Sequence, residues 1–234
     1  MFRNRCAFAL GLLATAALVP AQLINEIRVD QTGTDNDEYF EIAGTAGLSL
    51  NDLTYIVIGD GTGGSGVVES VTGLAGMLIP ADGHFFAAET TFTLGGATPD
   101  LSAGATGLNF ENADNVTHLL VGGFSGTNGQ DLDTNDDGVL DITPWTSLLD
   151  SVAIVLDPSV GDRVYSSTQV GPDGAFHPGH IYRAPSLSPN WLIGPFDPTQ
   201  GVDTPGASNP VPEPTTIAAL GIGAIALLRR RRAR

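Results

Sequence analysis

Between Gln22 and Asn209 no stretch holds a helical apolar period for more than three turns, and apolar runs of four to nine residues end in Gly, Pro, Asp or Asn. Such a chain can bury its apolar side chains in strands, and in little else. Leu23–Val29, Glu38–Ile42, Gly66–Val71, His84–Ala88, Val116–Val121 and Leu148–Leu156 read as strands, and the wholly apolar Tyr55–Ile58 as a buried one. Asp35-Asn36-Asp37 reads as a turn and Gly59–Gly64 as a loop. Thirty glycines and fifteen prolines agree with this pattern. The expectation is an all-β domain, and short strands separated by turns predict a β-sandwich. After Pro158 the rings of Tyr165, Phe176, Tyr182, Trp191 and Phe196 recur among Pro, Gly and Asp. That region is either a long crossing packed on the sandwich or a semi-ordered stalk, and the large rings favour packing. Val202–Val211 reads as a linker.

The two ends are of a different kind. Arg3 and Arg5 precede the uncharged apolar run Ala7–Leu18, and Val19-Pro20-Ala21 places a small residue before Gln22. Residues 1–21 therefore read as a signal peptide removed by signal peptidase after Ala21, since the run is short of the ~20 residues that span a bilayer. Cys6, the only cysteine, leaves with it, so the exported chain has no disulfide and no cysteine-ligated metal. At the other end Pro212-Glu213-Pro214 precedes the apolar run Ile217–Leu228, followed by Arg229, Arg230, Arg231, Arg232 and Arg234. As a helix that run covers about 18 Å, against a hydrocarbon core of roughly 30 Å. Snorkelling arginines extend its reach and place themselves on the cytoplasmic side. These dimensions fit a segment that stops transfer transiently.

The order V-P-E-P, apolar helix and Arg cluster over 211–234 resembles the PEP-CTERM sorting signal. The resemblance implies recognition by an exosortase-type membrane protease and cleavage near Pro212-Glu213-Pro214. It also implies transient insertion of the tail in the inner membrane, then residence at the cell envelope, surface or exopolysaccharide matrix. The chain divides into 1–21, a domain over 22–209 and a tail over 210–234.

Charge narrows the partners. Only Arg28, Arg163 and Arg183 lie between Gln22 and Pro212, against 25 acidic residues, a net charge of −22. Such a surface repels phosphate backbones and excludes nucleic-acid binding through a basic patch. The chain has no lysine, which excludes a P-loop. Acidity of this degree favours divalent counterions.

The richest acidic stretch is Asp131–Asp141. Calcium takes six to eight oxygen ligands, and carboxylates two residues apart project to one side of a tight loop. With Asp133 at loop position 1, Asn135, Asp137 and Asp141 stand at 3, 5 and 9, Gly138 at the sharp turn, and Val139 offers its carbonyl. Pro144 occupies position 12, so the usual bidentate Glu is missing, and Asp131 or a distant carboxylate such as Asp150 has to complete the shell. The expectation is a structural calcium of weak affinity, about 10⁻⁴–10⁻³ M; the alternative is a solvated acidic turn.

Several segments in order resemble the lamin tail domain: Leu23-Ile24-Asn25-Glu26-Ile27, Glu38-Tyr39-Phe40-Glu41-Ile42, Leu78–Phe86, Leu149-Asp150-Ser151-Val152-Ala153 and Thr204-Pro205-Gly206-Ala207-Ser208-Asn209. The resemblance spans about Leu23–Asn209 and implies an immunoglobulin-like β-sandwich. Ala43-Gly44-Thr45 replaces the family's Asn-Pro pair, and the insert Thr90–Asp141 is long.

No catalytic constellation stands out. His177-Pro178-Gly179-His180 is broken by proline and lacks the H-E-x-x-H pattern. His84 and His118 sit in apolar strands as packing residues, no serine has a G-x-S-x-G elbow, and Glu26 and Glu41 read as anchors for edges or loops. The expected role is non-catalytic: a surface or matrix protein that binds polysaccharide or another surface protein. The alternative is an accessory module of an extracellular nuclease or phosphatase.

Overall fold

A computed structural model describes residues 22–61, 64–108, 110–157 and 163–211. Its strands are β1 (Gln22–Arg28), β2 (Tyr39–Gly44), β3 (Leu53–Gly61), β4 (Gly64–Gly73), β5 (His84–Ala88), β6 (Leu101–Ser102), β7 (Val116–Gly122), β8 (Ser147–Ile154), β9 (Gln169–Val170), β10 (His180–Arg183) and β11 (Trp191–Ile193). They form two mixed sheets, one ordered β11-β10-β1-β2-β5-β6 and the other β4-β3-β7-β8-β9. Only the short edges β6 and β9 run parallel to their neighbours.

The sheets bury a common core. Ile24, Ile27, Phe40, Ile42, Phe85 and Ile181 of the first meet Tyr55, Val57, Val116, Leu120, Val152 and Ile154 of the second. The rings of Phe40 and Tyr55 stack across the interface with centroids 3.7 Å apart. The imperfect alternation of the first strand has a local cause. The β1–β2 register shifts between Ile24 and Glu26, so Asn25 is an extra residue and Ile24 and Ile27, three apart, share one face.

Both sheets are also covered on their outer faces, which the sequence pattern did not predict. The long excursion between β7 and β8 folds back, and Leu132 enters a second cluster with Ile56, Ile58, Val68, Leu119 and Val121. Backbone bonds hold it to β4: Leu132 donates to Gly66 and Val68 donates to Gln130. On the first sheet, Tyr39, Phe86 and Ala88 form a third cluster with Phe92, Leu94 and Ala97 partly buried against it.

The expected loop at Gly59–Gly64 is mostly strand. β3 extends through Gly61, which pairs with Gly64. The ladder survives there because Gly64 and Gly66 take φ of +119° and +90°, where side chains are strained. The region after Pro158, where described, packs on the sandwich through β9, β10 and β11.

Candidate functional site

The Asp133 loop adopts much of the backbone its sequence calls for. Asp133 is fully buried; its Oδ1 accepts from the Asp137 N–H at 3.3 Å, and its Oδ2 from the Gly138 N–H at 2.8 Å and the Tyr165 hydroxyl at 2.8 Å. Gly138 takes φ of +87° at the turn. Burial opposes the charge of Asp133, yet the bonds from Tyr165, Gly138 and Asp137, with Arg163 nearby, hold its carboxyl below the usual range. The remaining groups turn onto the loop backbone. Asp131 accepts from the Asp133 N–H, Asn135 from Asp137, Asp137 from Val139, and Asp141 from the N–H and hydroxyl of Thr134. Val139 is exposed. Arg163 crosses the loop and donates to the Asp136 carbonyl.

A calcium ion fits this loop in part. A carboxylate oxygen has two acceptor directions, and Asp133 Oδ1 uses one. Asp150 does not reach the loop: it pairs with Arg183 at 2.9 Å and accepts from the Ile24 N–H, tying β8 to β1 and β10. No three His, Asp or Glu ligand atoms of the loop lie within 4.8 Å of one another; among the described residues Glu26, His180 and Asp203 do.

That second group belongs to a buried polar clasp. The Arg28 side chain is fully buried and makes five bonds: Nε and Nη2 to Asp203 at 2.5 and 2.7 Å, and Nη1 and Nη2 to the carbonyls of Asp30, Phe196 and Pro195. All five guanidinium donors thus have partners. Glu26 accepts from the Tyr39 hydroxyl at 2.6 Å, His180 Nε2 at 2.8 Å, and the N–H and hydroxyl of Thr204. Glu41 accepts from Asn25, His84 and the Gly206 N–H. Asn209 donates to the carbonyls of Asn25 and Arg183. Residues 203–209 are therefore part of the fold, which corrects their reading as linker. Their partners stand on distant strands, so no local pattern announces them.

His84 and His118 are buried as expected, each with a partner. His84 bridges Glu41 and Ser208, and His118 Nδ1 faces the Tyr55 hydroxyl at 2.7 Å. Burial pushes His118 down to about 3, so it stays neutral and accepts from Tyr55.

A cavity of about 470 Å³ opens beside the clasp, lined by Asp30, Asn112, Asp173, Phe176, His177 and Phe196. Phe176 is 73 % exposed and Phe196 39 %. His177 is buried with neither ring nitrogen bonded, and burial pushes it down to about 4. Apolar walls with a few unspent polar groups are the makings of a small-ligand site. A hollow of about 520 Å³ between β9 and β11 has no titratable side chain in its lining.

The decisive likeness lies just beyond Asn209. Residues 210–232 match the PEP-CTERM protein-sorting motif. The PEP-CTERM motif implies export, processing by an exosortase in transit and association with the cell envelope or surface. No curated protein and no solved structure matches the chain. Ala21, Pro212, Glu213, Pro214, Arg229, Arg230, Arg231 and Arg232, with the apolar run of the tail, lie outside the described residues. Among the described residues no helix is long and apolar enough to cross a membrane.

Proposed function

We propose that this protein is a non-catalytic surface or matrix component whose sandwich, of lamin-tail type, binds a neutral polysaccharide. The observation that carries the reading is the Phe176–His177 cavity, with an exposed ring at its rim and an unpartnered imidazole in its wall. An exposed aromatic face packs on the apolar face of a sugar ring. Asn112, Asp30, Asp173 and His177 supply donors and acceptors for its hydroxyls. The net charge of −22 between Gln22 and Pro212 turns away acidic polymers, which selects neutral ones.

The lamin-tail assignment is supported by the way its segments bond together. The Asn-Glu of β1, the second Glu of β2 and the Thr-Pro-Gly-Ala-Ser-Asn stretch meet in one clasp. Export ends, on this reading, with signal peptidase cutting after Ala21 and an exosortase cutting at Pro212-Glu213-Pro214. Calcium sits in the Asp131–Asp141 loop, held by Asp131, Asp133, Asn135, Asp137, Asp141 and the Val139 carbonyl. Arg163 already supplies some of the positive charge there, which keeps the affinity near 10⁻⁴–10⁻³ M.

Titration of the full chain in mild detergent with neutral hexasaccharides of glucose and N-acetylglucosamine tests the binding. At least one should bind, and Phe176→Ala should weaken it tenfold or more, with stability changed by less than about 0.5 kcal/mol because the ring is exposed. Equal binding by Phe176→Ala, or no binding by any of the sugars, would contradict the reading.

A further inference from the structure

Along one side of the sandwich β9 ends the second sheet and β11 the first, and the hollow of about 520 Å³ lies between them. Its walls are two free strand edges. On the β11 side, Gly194 donates to the His180 carbonyl and Ala184 to that of Asn190. Bonded and unbonded pairs alternate in an antiparallel ladder, so Trp191 and Ile193 turn their N–H and C=O groups away from β10. On the β9 side, Ala153 donates to Thr168 and Val155 to Val170. Gln169, between those acceptors, therefore turns its backbone away from β8. Trp191, Ile193 and Gln169 all line the hollow.

The side chains add polarity without charge. Gln169 and Asn190 are exposed, and among the described residues no hydrogen bond uses either side-chain amide. Asn190 spends only its backbone, on Ser188 and Ala184. Trp191 packs on the core, with the Arg183 guanidinium 4.5 Å from its ring centroid, so this wall is fixed. A hydroxyl both donates and accepts. Free N–H and C=O groups with two unspent amides therefore suit an uncharged molecule covered in hydroxyls. A charged ligand would lose water here and find no counter-charge. A peptide strand is the other ligand that free edges take, but β9 is two residues long and β11 three, too short for a ladder.

The hollow adjoins the Phe176–His177 cavity. Gly171 lines the one and Asp173 the other, with only Pro172 between them, at most about 7 Å of chain. A second link runs from Ile193 in the hollow to Phe196 in the cavity, both more than a third exposed. We propose, on the reading of the Phe176–His177 cavity as a neutral-glycan site, that the hollow between β9 and β11 is a second subsite. One extended chain of sugar rings then lies across both openings, and affinity grows with its length.

The test compares chain lengths by calorimetry on the full chain in mild detergent. The glucose or N-acetylglucosamine hexasaccharide that binds should do so about tenfold or more tighter than its own disaccharide, which fills one subsite only. Gln169→Ala/Asn190→Ala should bring that ratio below about threefold, since the longer chain loses its second foothold. Neither side chain is bonded, so the variant's melting temperature should stay within about 2 °C of the parent's. Equal affinities for the two lengths overturn the second subsite and leave the cavity reading standing. A length ratio that survives Gln169→Ala/Asn190→Ala does the same. No binding by either length overturns both.

Discussion

Arg28→Met should destabilise the folded chain by about 3–5 kcal/mol, the range for removing one partner of a buried ion pair. The variant leaves the Asp203 carboxylate in a site where its partner's side chain had no exposure. It also takes a donor from the carbonyls of Asp30, Pro195 and Phe196. Set against a typical total of 5–15 kcal/mol, the loss takes a large fraction of the stability. Urea unfolding gives the number. Arg28→Met/Asp203→Leu should cost less than the sum of the two single changes, because it leaves no orphan charge. The exposed Arg163, changed to Met, should move stability by about 0.5 kcal/mol or less. Additive costs at Arg28 and Asp203 would mean that the pair is not coupled.

Asp133→Ala should cost about 2–3 kcal/mol even in chelator, the scale of losing hydrogen bonds to a charged acceptor. Asp137, Gly138 and Tyr165 all lose that acceptor at once. Leu132, next in sequence, sits fully buried in the second core, so the loop cannot move away without exposing it. Asp137→Ala behaves differently. Its carboxylate accepts only the Val139 N–H at an exposed position, so the change should leave stability in chelator nearly untouched. What it should remove is the loop's share of the calcium response, which for a native-state ligand at a hundredfold excess over Kd is about 2.7 kcal/mol. Thermal unfolding of both variants with and without calcium reads the two effects apart. An Asp137→Ala chain with an unaltered calcium shift would remove the ion from the loop.

The strands were legible because each run buries one or both faces, and burial writes itself into the run. Tyr55–Ile58 and Val116–Val121 needed no knowledge of their neighbours. The closing segment Thr204–Asn209 was legible as part of the domain only through its resemblance, and its bonds were not, because Thr204, Gly206 and Asn209 act on Glu26, Glu41 and Asn25, more than 160 residues earlier. Read alone, Asp-Thr-Pro-Gly-Ala-Ser-Asn has the composition of a linker. Leu132 was hidden for a related reason: one apolar residue among aspartates carries no period, and only the fold of the excursion puts it against Ile56 and Val121. The spacing of the Asp133 loop was visible in full. That its carboxylates turn largely onto their own backbone was not.

The clasp ends next to the sorting motif. Asn209 is buried and bonded, while Val211 is exposed, and the match to the sorting motif, 210–232, starts at the next residue after Asn209. Only Pro210 and Val211 separate the last anchored residue from Pro212-Glu213-Pro214. The first measurement is therefore the intact mass of the protein recovered from the surface or medium of cells that carry an exosortase. Export followed by sorting predicts a chain that begins at Gln22 and ends within Pro212-Glu213-Pro214. A chain recovered from the membrane with Arg234 still attached would contradict it.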